Sequence, residues 1–247
     1  MIWKEEIIVI GLYDLHSHIL PNIDDGSSSF EETEKMLRKE YEDGVRVIFS
    51  TSHYRKAMFE PEMESVITQY EKVKELASSI ADDLTILLGC EFHANMNMTE
   101  MLKNKERPTL NNTEFVLTEF SSRWWFDGIR ERCNALLENG YTPIIAHPER
   151  YPDLCKDMDN IRMLVNMGVY MQVNAGSILG EEGRKSKKFC KKLMKENLLH
   201  FVGSDAHNMD DRSPMMKECA DYMTKLMGET YTRRIMIENP KKIILND

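Results

Sequence analysis

Long hydrophobic runs are missing from this chain. The longest near the start, Ile7 to Ile10 followed by Gly11 and Leu12, is far too short to cross a bilayer. It follows Lys4, Glu5 and Glu6 and lacks a cleavage-site pattern, so neither membrane insertion nor a secretory leader is expected. Close cysteine pairs are missing too. Cys90, Cys133, Cys155, Cys190 and Cys219 are odd in number and scattered, which argues against a disulfide framework and for reduced thiols in the cytoplasm. No fixed-period repeat, low-complexity stretch or Pro/Gly/Ser-rich linker divides the 247 residues, so one domain over 1–247 is expected. Basic charge is also short: a net charge of −9 and a pI near 5.4 exclude a nucleic-acid binder held by bulk electrostatics. The rest of the composition, 42% hydrophobic and 30% charged, is that of an ordinary globular protein.

What the chain does have is a series of short apolar runs, each separated from the next by a helical pattern. Strands are expected at Leu12 to His18, Val45 to His53, Leu84 to Glu91, Phe115 to Glu119, Thr142 to His147, Val169 to Asn174 and Leu198 to Asp205. Between them, Ser29 and Glu32 form a capping box ahead of Phe30, Leu37 and Tyr41 at helical spacing. Met63 to Ile80, Asp127 to Asn139, Met158 to Met167 and the basic stretch Glu182 to Asn197 read as further helices. A short irregular connection is expected before Phe115, and one or two helices ending near Asn239-Pro240. Near-continuous apolar strands alternating with helices indicate an α/β protein with a parallel sheet. Seven such units favour a distorted seven-stranded (β/α) barrel over an open sheet.

The polar residues fall in a pattern. In the stretch Tyr13 to Gly26, His16 and His18 are two residues apart, so on a strand they project the same way. The other expected strands end in His53, Glu91, Glu119, His147, and Asp205 with His207, while the sixth, ending at Asn174, supplies nothing. Five of the seven histidines thus sit at strand ends, which in a barrel converge on one face. With Asp25 in the turn after the first strand, there are nine potential ligands, enough for two or three metal ions sharing carboxylate bridges. Four carboxylates set against three divalent ions leave the site about two charges positive. Arg150, beside His147, adds to this, and so does Arg212 unless it makes a surface ion pair. A cationic, metal-lined mouth suits a phosphate ester. His93 reads as a loop group and His200, at the wrong end of its strand, as structural. Asp14 either orients a histidine or fills the barrel, and Asp24 has no assigned role.

His16-Ser17-His18, Asp24-Asp25-Gly26, Ser52-His53, Gly89-Cys90-Glu91, His147-Pro148-Glu149-Arg150 and Ser204-Asp205-Ala206-His207 together resemble the PHP (polymerase and histidinol phosphatase) superfamily. The loop Leu20-Pro21-Asn22-Ile23-Asp24-Asp25-Gly26, Thr51-Ser52-His53-Tyr54-Arg55 and His147-Pro148-Glu149-Arg150 resemble, within it, the bacterial manganese-dependent tyrosine-protein phosphatases of capsule and exopolysaccharide systems. The resemblance implies a PHP-type barrel and three divalent ions, manganese first, with iron or zinc as alternatives. The implied ligands are His16, His18, Asp25, His53, Glu91, Glu119, His147, Asp205 and His207, with Arg150 and Arg212 at the phosphate. The implied substrate is a tyrosine-rich tail of a membrane-associated bacterial tyrosine kinase. Residues 1–12 precede the usual start and read as an extension of no assigned role. Trp124 and Trp125 would either stack on the phosphotyrosine ring or cover the rim.

The expected reaction is hydrolysis by an activated water, with no covalent enzyme intermediate. His53 or His207 is available as a general acid where not fully engaged by metal. No cysteine has an arginine six residues later, and the glycine spacing from Gly180 to Ser186 is wrong for a Walker A loop. Two other readings remain: a small-molecule phosphatase acting on histidinol phosphate or a similar ester, and a non-catalytic phosphotyrosine-binding regulator.

Overall fold

The computed structural model describes residues 11–245. Most of the expected N-terminal extension therefore lies outside the described residues. Nine strand segments are β1 (Leu12–Ser17), β2 (Val45–Ser50), β3 (His53–Tyr54), β4 (Thr85–Leu88), β5 (Glu91–His93), β6 (Phe115–Glu119), β7 (Thr142–Ala146), β8 (Tyr170–Asn174) and β9 (Phe201–Gly203). They form two sheets, ordered β1-β2-β4 and β3-β5-β6-β7-β8-β9, and every neighbouring pair is parallel. Two expected strands are each broken in two, β2 from β3 and β4 from β5. The ladder turns irregular where the amide of Glu91 is shared between the carbonyls of Thr51 at 3.0 Å and Ser52 at 3.3 Å. At the far edge the end of β9 returns to β1. His18 N donates to Ala206 O at 2.9 Å, Asp205 N donates to His16 O at 2.7 Å, and Ser17 bridges Ala206. The outcome is an α/β fold whose parallel sheet curls.

The helices are α1 (Phe30–Glu42), α2 (Met63–Ile80), α3 (Met98–Lys103), α4 (Phe126–Glu138), α5 (Pro152–Lys156), α6 (Met158–Asn166), α7 (Ala175–Leu179), α8 (Arg184–Lys195), α9 (Met216–Met227), α10 (Glu229–Arg233) and α11 (Asn239–Leu245). Half of the capping box forms: Ser29 Oγ accepts from Glu32 N at 3.2 Å. The returning arm lands one residue early, since Glu32 Oε2 accepts from Ser28 N and Ser28 Oγ, both at 2.7 Å. The connection expected to be irregular before β6 contains α3 and a 3-10 turn at Leu110–Asn112. Nor does the chain stop at Asn239-Pro240. A widened π turn over Arg234–Glu238 leads directly into α11, so Pro240, which has no N–H to give, follows a ladder already loosened.

Alternating strand residues build the interior. Tyr13, Leu15, Val47, Phe49, Leu117, Ile144 and Phe201 form one buried apolar cluster, closed by Leu110 and by Ile243 of α11. The helices bury a larger cluster against the outer side of the sheet, with Met36 and Leu37 of α1, Val73 of α2 and Leu193 of α8 among its members. At roughly 1.5–3 kcal/mol for each fully buried large side chain, these two layers supply the main force holding the strand ends in register.

Candidate metal centre

Three local devices turn the strand ends toward one point. Along β1, Tyr13 and Leu15 face the interior, so simple alternation would send His16 away from it. The register shifts between Asp14, paired with Ile48, and Ser17, paired with Ser50, so Leu15 and His16 both stand opposite Phe49 alone. This bulge aims His16, and with it His18, into the mouth. At the ends of β7 and β9, His147 and Asp205 adopt left-handed backbone, with φ of 36° and 53°. Such conformations cost a non-glycine residue about 1–2 kcal/mol each and re-aim its side chain. Gly203 lets the strands close: a Cβ there would lie 2.4 Å from His16 Cβ.

The side chains converge as three overlapping groups whose ligand atoms lie within 4.8 Å of one another: His18, Asp25, His53 and His207; His16, His18, Glu91 and Asp205; and His53, Glu91 and Glu119. Together these contain eight of the nine expected ligands. Glu91 lies between groups, with Oε2 at 3.1 Å from His16 Nε2, 3.3 Å from His18 Nε2 and 3.0 Å from His53 Nδ1. Asp25 Oδ1 stands 3.5 Å from both His53 Nε2 and His207 Nε2. His147, the ninth, is outside the three groups but touches Glu91 Oε1 through Nε2 at 2.7 Å. His53 Nδ1, Glu91 Oε2, Glu119 Oε2 and His207 Nε2 are buried and make no hydrogen bond. Buried donors and acceptors left bare are costly, and a mixed imidazole–carboxylate set of this kind fits divalent cations.

The orienting residues were less visible in the sequence. Asp24 Oδ2 faces His18 Nδ1 at 2.8 Å and accepts from His53 N at 2.7 Å, while Oδ1 accepts from Gly26 N at 3.0 Å. Taking the Nδ1 proton of His18 leaves its Nε2 lone pair for a cation. Gln172 Oε1 does the same for His16 Nδ1 at 3.0 Å. Asn174 Nδ2 donates to Asp205 Oδ2 at 2.8 Å. The strand expected to supply nothing therefore supplies two positioning amides, both on the inward face of β8. Their signal was the spacing i and i+2, but neutral amides do not announce metal chemistry. Asp14 holds the β1–β9 seam: it accepts from Ser204 N at 2.7 Å, Ser204 Oγ at 2.5 Å and His16 N at 3.1 Å.

Both guanidinium groups reach the same carboxylate. Arg150 Nη1 lies 2.9 Å and Arg212 Nη2 3.0 Å from Asp205 Oδ2, while Asp205 Oδ1 faces His16 and His18 at 3.5 Å. Arg212 is thus at the site and not in a remote surface pair. Glu182, which the helix pattern of the sequence did not single out, grips Arg150 through two contacts, at 2.6 and 3.1 Å. Electrostatics follow the crowding. Burial opposes charge on Glu91 and Asp205, yet the facing histidines and arginines outweigh it and hold both carboxyls well below the usual range. Burial also opposes charge on His18, but Asp24, Asp205 and Glu91 hold its imidazole well above its ordinary value. Glu119 moves the other way, pushed up to about 7 by burial and by Glu91. His207 is pushed down to about 4 by burial and the neighbouring His18.

The remaining candidates separate cleanly. His93 stands beside Glu119 across β5 and β6, outside the three groups, and burial with Arg55 nearby pushes it down to about 4. His200, at the opposite end of β9, accepts from Met171 N at 3.1 Å and packs edge-on against Tyr170. Trp124 packs against Phe120, ring centroids 5.4 Å apart, whereas Trp125 is 78% exposed.

The chain matches the family model described as capsular polysaccharide synthesis, CpsB/CapC, over residues 12–245. It is 38% identical over 240 residues to the tyrosine-protein phosphatase CpsB of Streptococcus pneumoniae, covering 95% of this chain and 99% of that one. A solved structure from work on YwqE of Bacillus subtilis and CpsB of Streptococcus pneumoniae, described as metal-dependent tyrosine phosphatases, superposes with a TM-score of 0.89 at 28% identity, covering 96% of this chain and 95% of that one. The phosphotriesterase homology protein of Escherichia coli shares the fold, with a TM-score of 0.60 at 13% identity over 95% of this chain and 98% of that one.

Proposed function

The chain belongs to the capsular polysaccharide synthesis CpsB/CapC family, and from that premise we propose that it is a metal-dependent protein-tyrosine phosphatase, a phosphoric monoester hydrolase serving capsule or exopolysaccharide synthesis. One observation carries the reading: three overlapping groups of ligand atoms meet two arginines at Asp205. The ions are three, manganese first. His16, His18, Asp25, His53, Glu91, Glu119, Asp205 and His207 would hold them, the three groups overlapping at His18, His53 and Glu91. His147 completes the set from the Glu91 side. The sheet is a PHP-type distorted barrel of seven strands when β2–β3 and β4–β5 are each counted once, and one domain contains it.

Divalent ions bound there supply Lewis acidity toward phosphate oxygens and activate water for in-line attack. The chain's own residues do the positioning. Asp24 and Gln172 fix which imidazole nitrogens face inward, and Asn174 fixes the rotation of Asp205. Arg150 and Arg212, held on Asp205 Oδ2, place their free N–H groups where charge grows on the equatorial phosphate oxygens. Phenolate, with a parent pKa near about 10, leaves without a dedicated acid. His53 or His207 would assist only where not fully engaged by metal. The physiological substrate is the phosphotyrosine tail of a membrane-associated kinase, met in the cytoplasm. No helix among the described residues is long and apolar enough to cross a membrane.

Rates on a phosphotyrosine peptide and on histidinol phosphate decide the substrate class. The peptide is expected to be turned over at least about tenfold more efficiently. A preference for histidinol phosphate would overturn the reading. Equal peptide affinity in wild type and His147→Ala, with turnover in neither, would favour a non-catalytic phosphotyrosine-binding regulator instead.

A further inference from the structure

Five large apolar side chains are exposed among the described residues: Met58, Ile67, Met96, Trp125 and Met163. Ile67 on α2 and Met163 on α6 stand singly on helix surfaces, which is ordinary for a folded protein. The other three are the most exposed, at 59% for Met58 and 78% each for Met96 and Trp125. They occupy the loops that follow β3, β5 and β6. Those strands are successive neighbours in one parallel sheet, so the three loops leave the same end. The same strands carry His53, Glu91 and Glu119, the third group of ligand atoms. Three exposed apolar side chains therefore stand on loops that leave the sheet at the end where His53, Glu91 and Glu119 gather.

The loops themselves are pinned. Arg55 and Phe59 exchange backbone hydrogen bonds of 2.8 Å in both directions around a tight turn, and the Phe59 ring stacks on His53 at 5.3 Å and 8°. Met96 Sδ accepts from Arg132 Nη2 of α4 at 3.0 Å. Trp125 caps the start of α4 while its neighbour Trp124 is packed inward on Phe120. The loop bases are held by these contacts while the side chains at their tips stay exposed, which is the form of a docking rim. Methionine adapts to irregular apolar partners, and tryptophan offers a large flat one.

We infer that Met58, Met96 and Trp125 form a rim that grips residues flanking the phosphotyrosine, so that the substrate is an extended peptide with apolar or aromatic side chains beside its phosphotyrosine. This rests on the phosphatase reading above and is continuous with that site: Phe59 joins the rim directly to His53. Such a rim discriminates through binding of the peptide, not through the chemical step, so its effect belongs in KM.

The test uses the metal-loaded full-length protein with three substrates: a phosphotyrosine peptide flanked by tyrosine and leucine, the same peptide flanked by serine and glycine, and p-nitrophenyl phosphate. The apolar-flanked peptide is expected to have a KM about tenfold lower, the equivalent of one well-buried apolar contact. The combined variant Met58→Ser, Met96→Ser, Trp125→Ser should bring the two peptides within about twofold while turning over p-nitrophenyl phosphate as the wild type does. Because Met96→Ser also removes the partner of Arg132 Nη2, the double variant Met58→Ser, Trp125→Ser is run beside the triple one, and unchanged p-nitrophenyl phosphate turnover in it verifies folding. A peptide preference as large as the wild type's in that double variant overturns the rim. Equal KM for both peptides in the wild type, or a preference that survives in the variant, overturns the rim alone. Failure to hydrolyse any phosphotyrosine substrate, with histidinol phosphate turned over, overturns the phosphatase reading and the rim with it.

Discussion

Asp24 decides which nitrogen of His18 faces the ligand groups. Its carboxylate is buried, 2.8 Å from His18 Nδ1, and also takes the backbone N–H of His53. Burial raises its pKa, but His18 and His53 outweigh that and hold it well below the ordinary range, so it accepts across the working pH range. Asp24→Asn keeps the volume and can present an N–H in place of an acceptor, letting His18 turn. Loss of such an orienting partner typically costs about 10–100-fold in metal affinity or activity. Bound metal per chain and kcat should both fall in Asp24→Asn; unchanged metal content would mean that Asp24 merely closes the turn. At this scale the clustering of eight of the nine candidate ligands was legible, because imidazoles and carboxylates recur at strand ends. Their positioning partners were not. Gln172 lies 156 residues from His16 and Glu182 lies 32 from Arg150, and local spacing says nothing about pairs that distant.

Elements with a strong local period were readable, and elements shaped by neighbours were not. Helix α2 spans Met63–Ile80 as its apolar spacing requires, because an amphipathic stripe is written into the chain itself. The β1 bulge and the breaks after β2 and β4 depend on what lies alongside. So does the closeness of β9 to β1, where Gly203 is needed. A methyl group there would lie 2.9 Å from His16 N as well as against its Cβ, forcing the seam apart. Gly203→Ala should lower unfolding stability by about 1–3 kcal/mol and reduce turnover sharply, because the displaced residue is His16. Gly140→Ala is the control: its φ is 80° with nothing within 4 Å of the added Cβ, so about 1 kcal/mol should be lost with turnover intact. Chemical denaturation alongside steady-state rates separates the two. A Gly203→Ala protein as active as wild type would show that the seam does not set the geometry of His16.

For the whole molecule, the composition already spoke against thiol chemistry, and the structure supplies the physical reason. Burial pushes the thiols of Cys90 and Cys133 up to about 12 and that of Cys155 to about 11, and those of Cys190 and Cys219 higher still. Thiols of that kind are almost wholly protonated near neutrality, and the thiolate is the reactive form. Treatment of the metal-loaded protein with iodoacetamide at pH 7.5, about a unit below a free cysteine's pKa, should therefore leave phosphotyrosine turnover within about twofold of its starting value. The order of the strands that carry the clustered histidines and carboxylates was legible in the chain. The division of labour among the loops was not, since exposure of Trp125 beside a half-buried Trp124 depends on how α4 docks.

Removal and return of the metal tests the central claim most directly. The protein is stripped with a chelator, then titrated with manganese while hydrolysis of a phosphotyrosine peptide and bound metal are followed together. Turnover should vanish in the stripped protein and return as the ligand groups fill, reaching its maximum near three equivalents per chain. Full phosphotyrosine hydrolysis by protein verified to be metal-free would contradict the account.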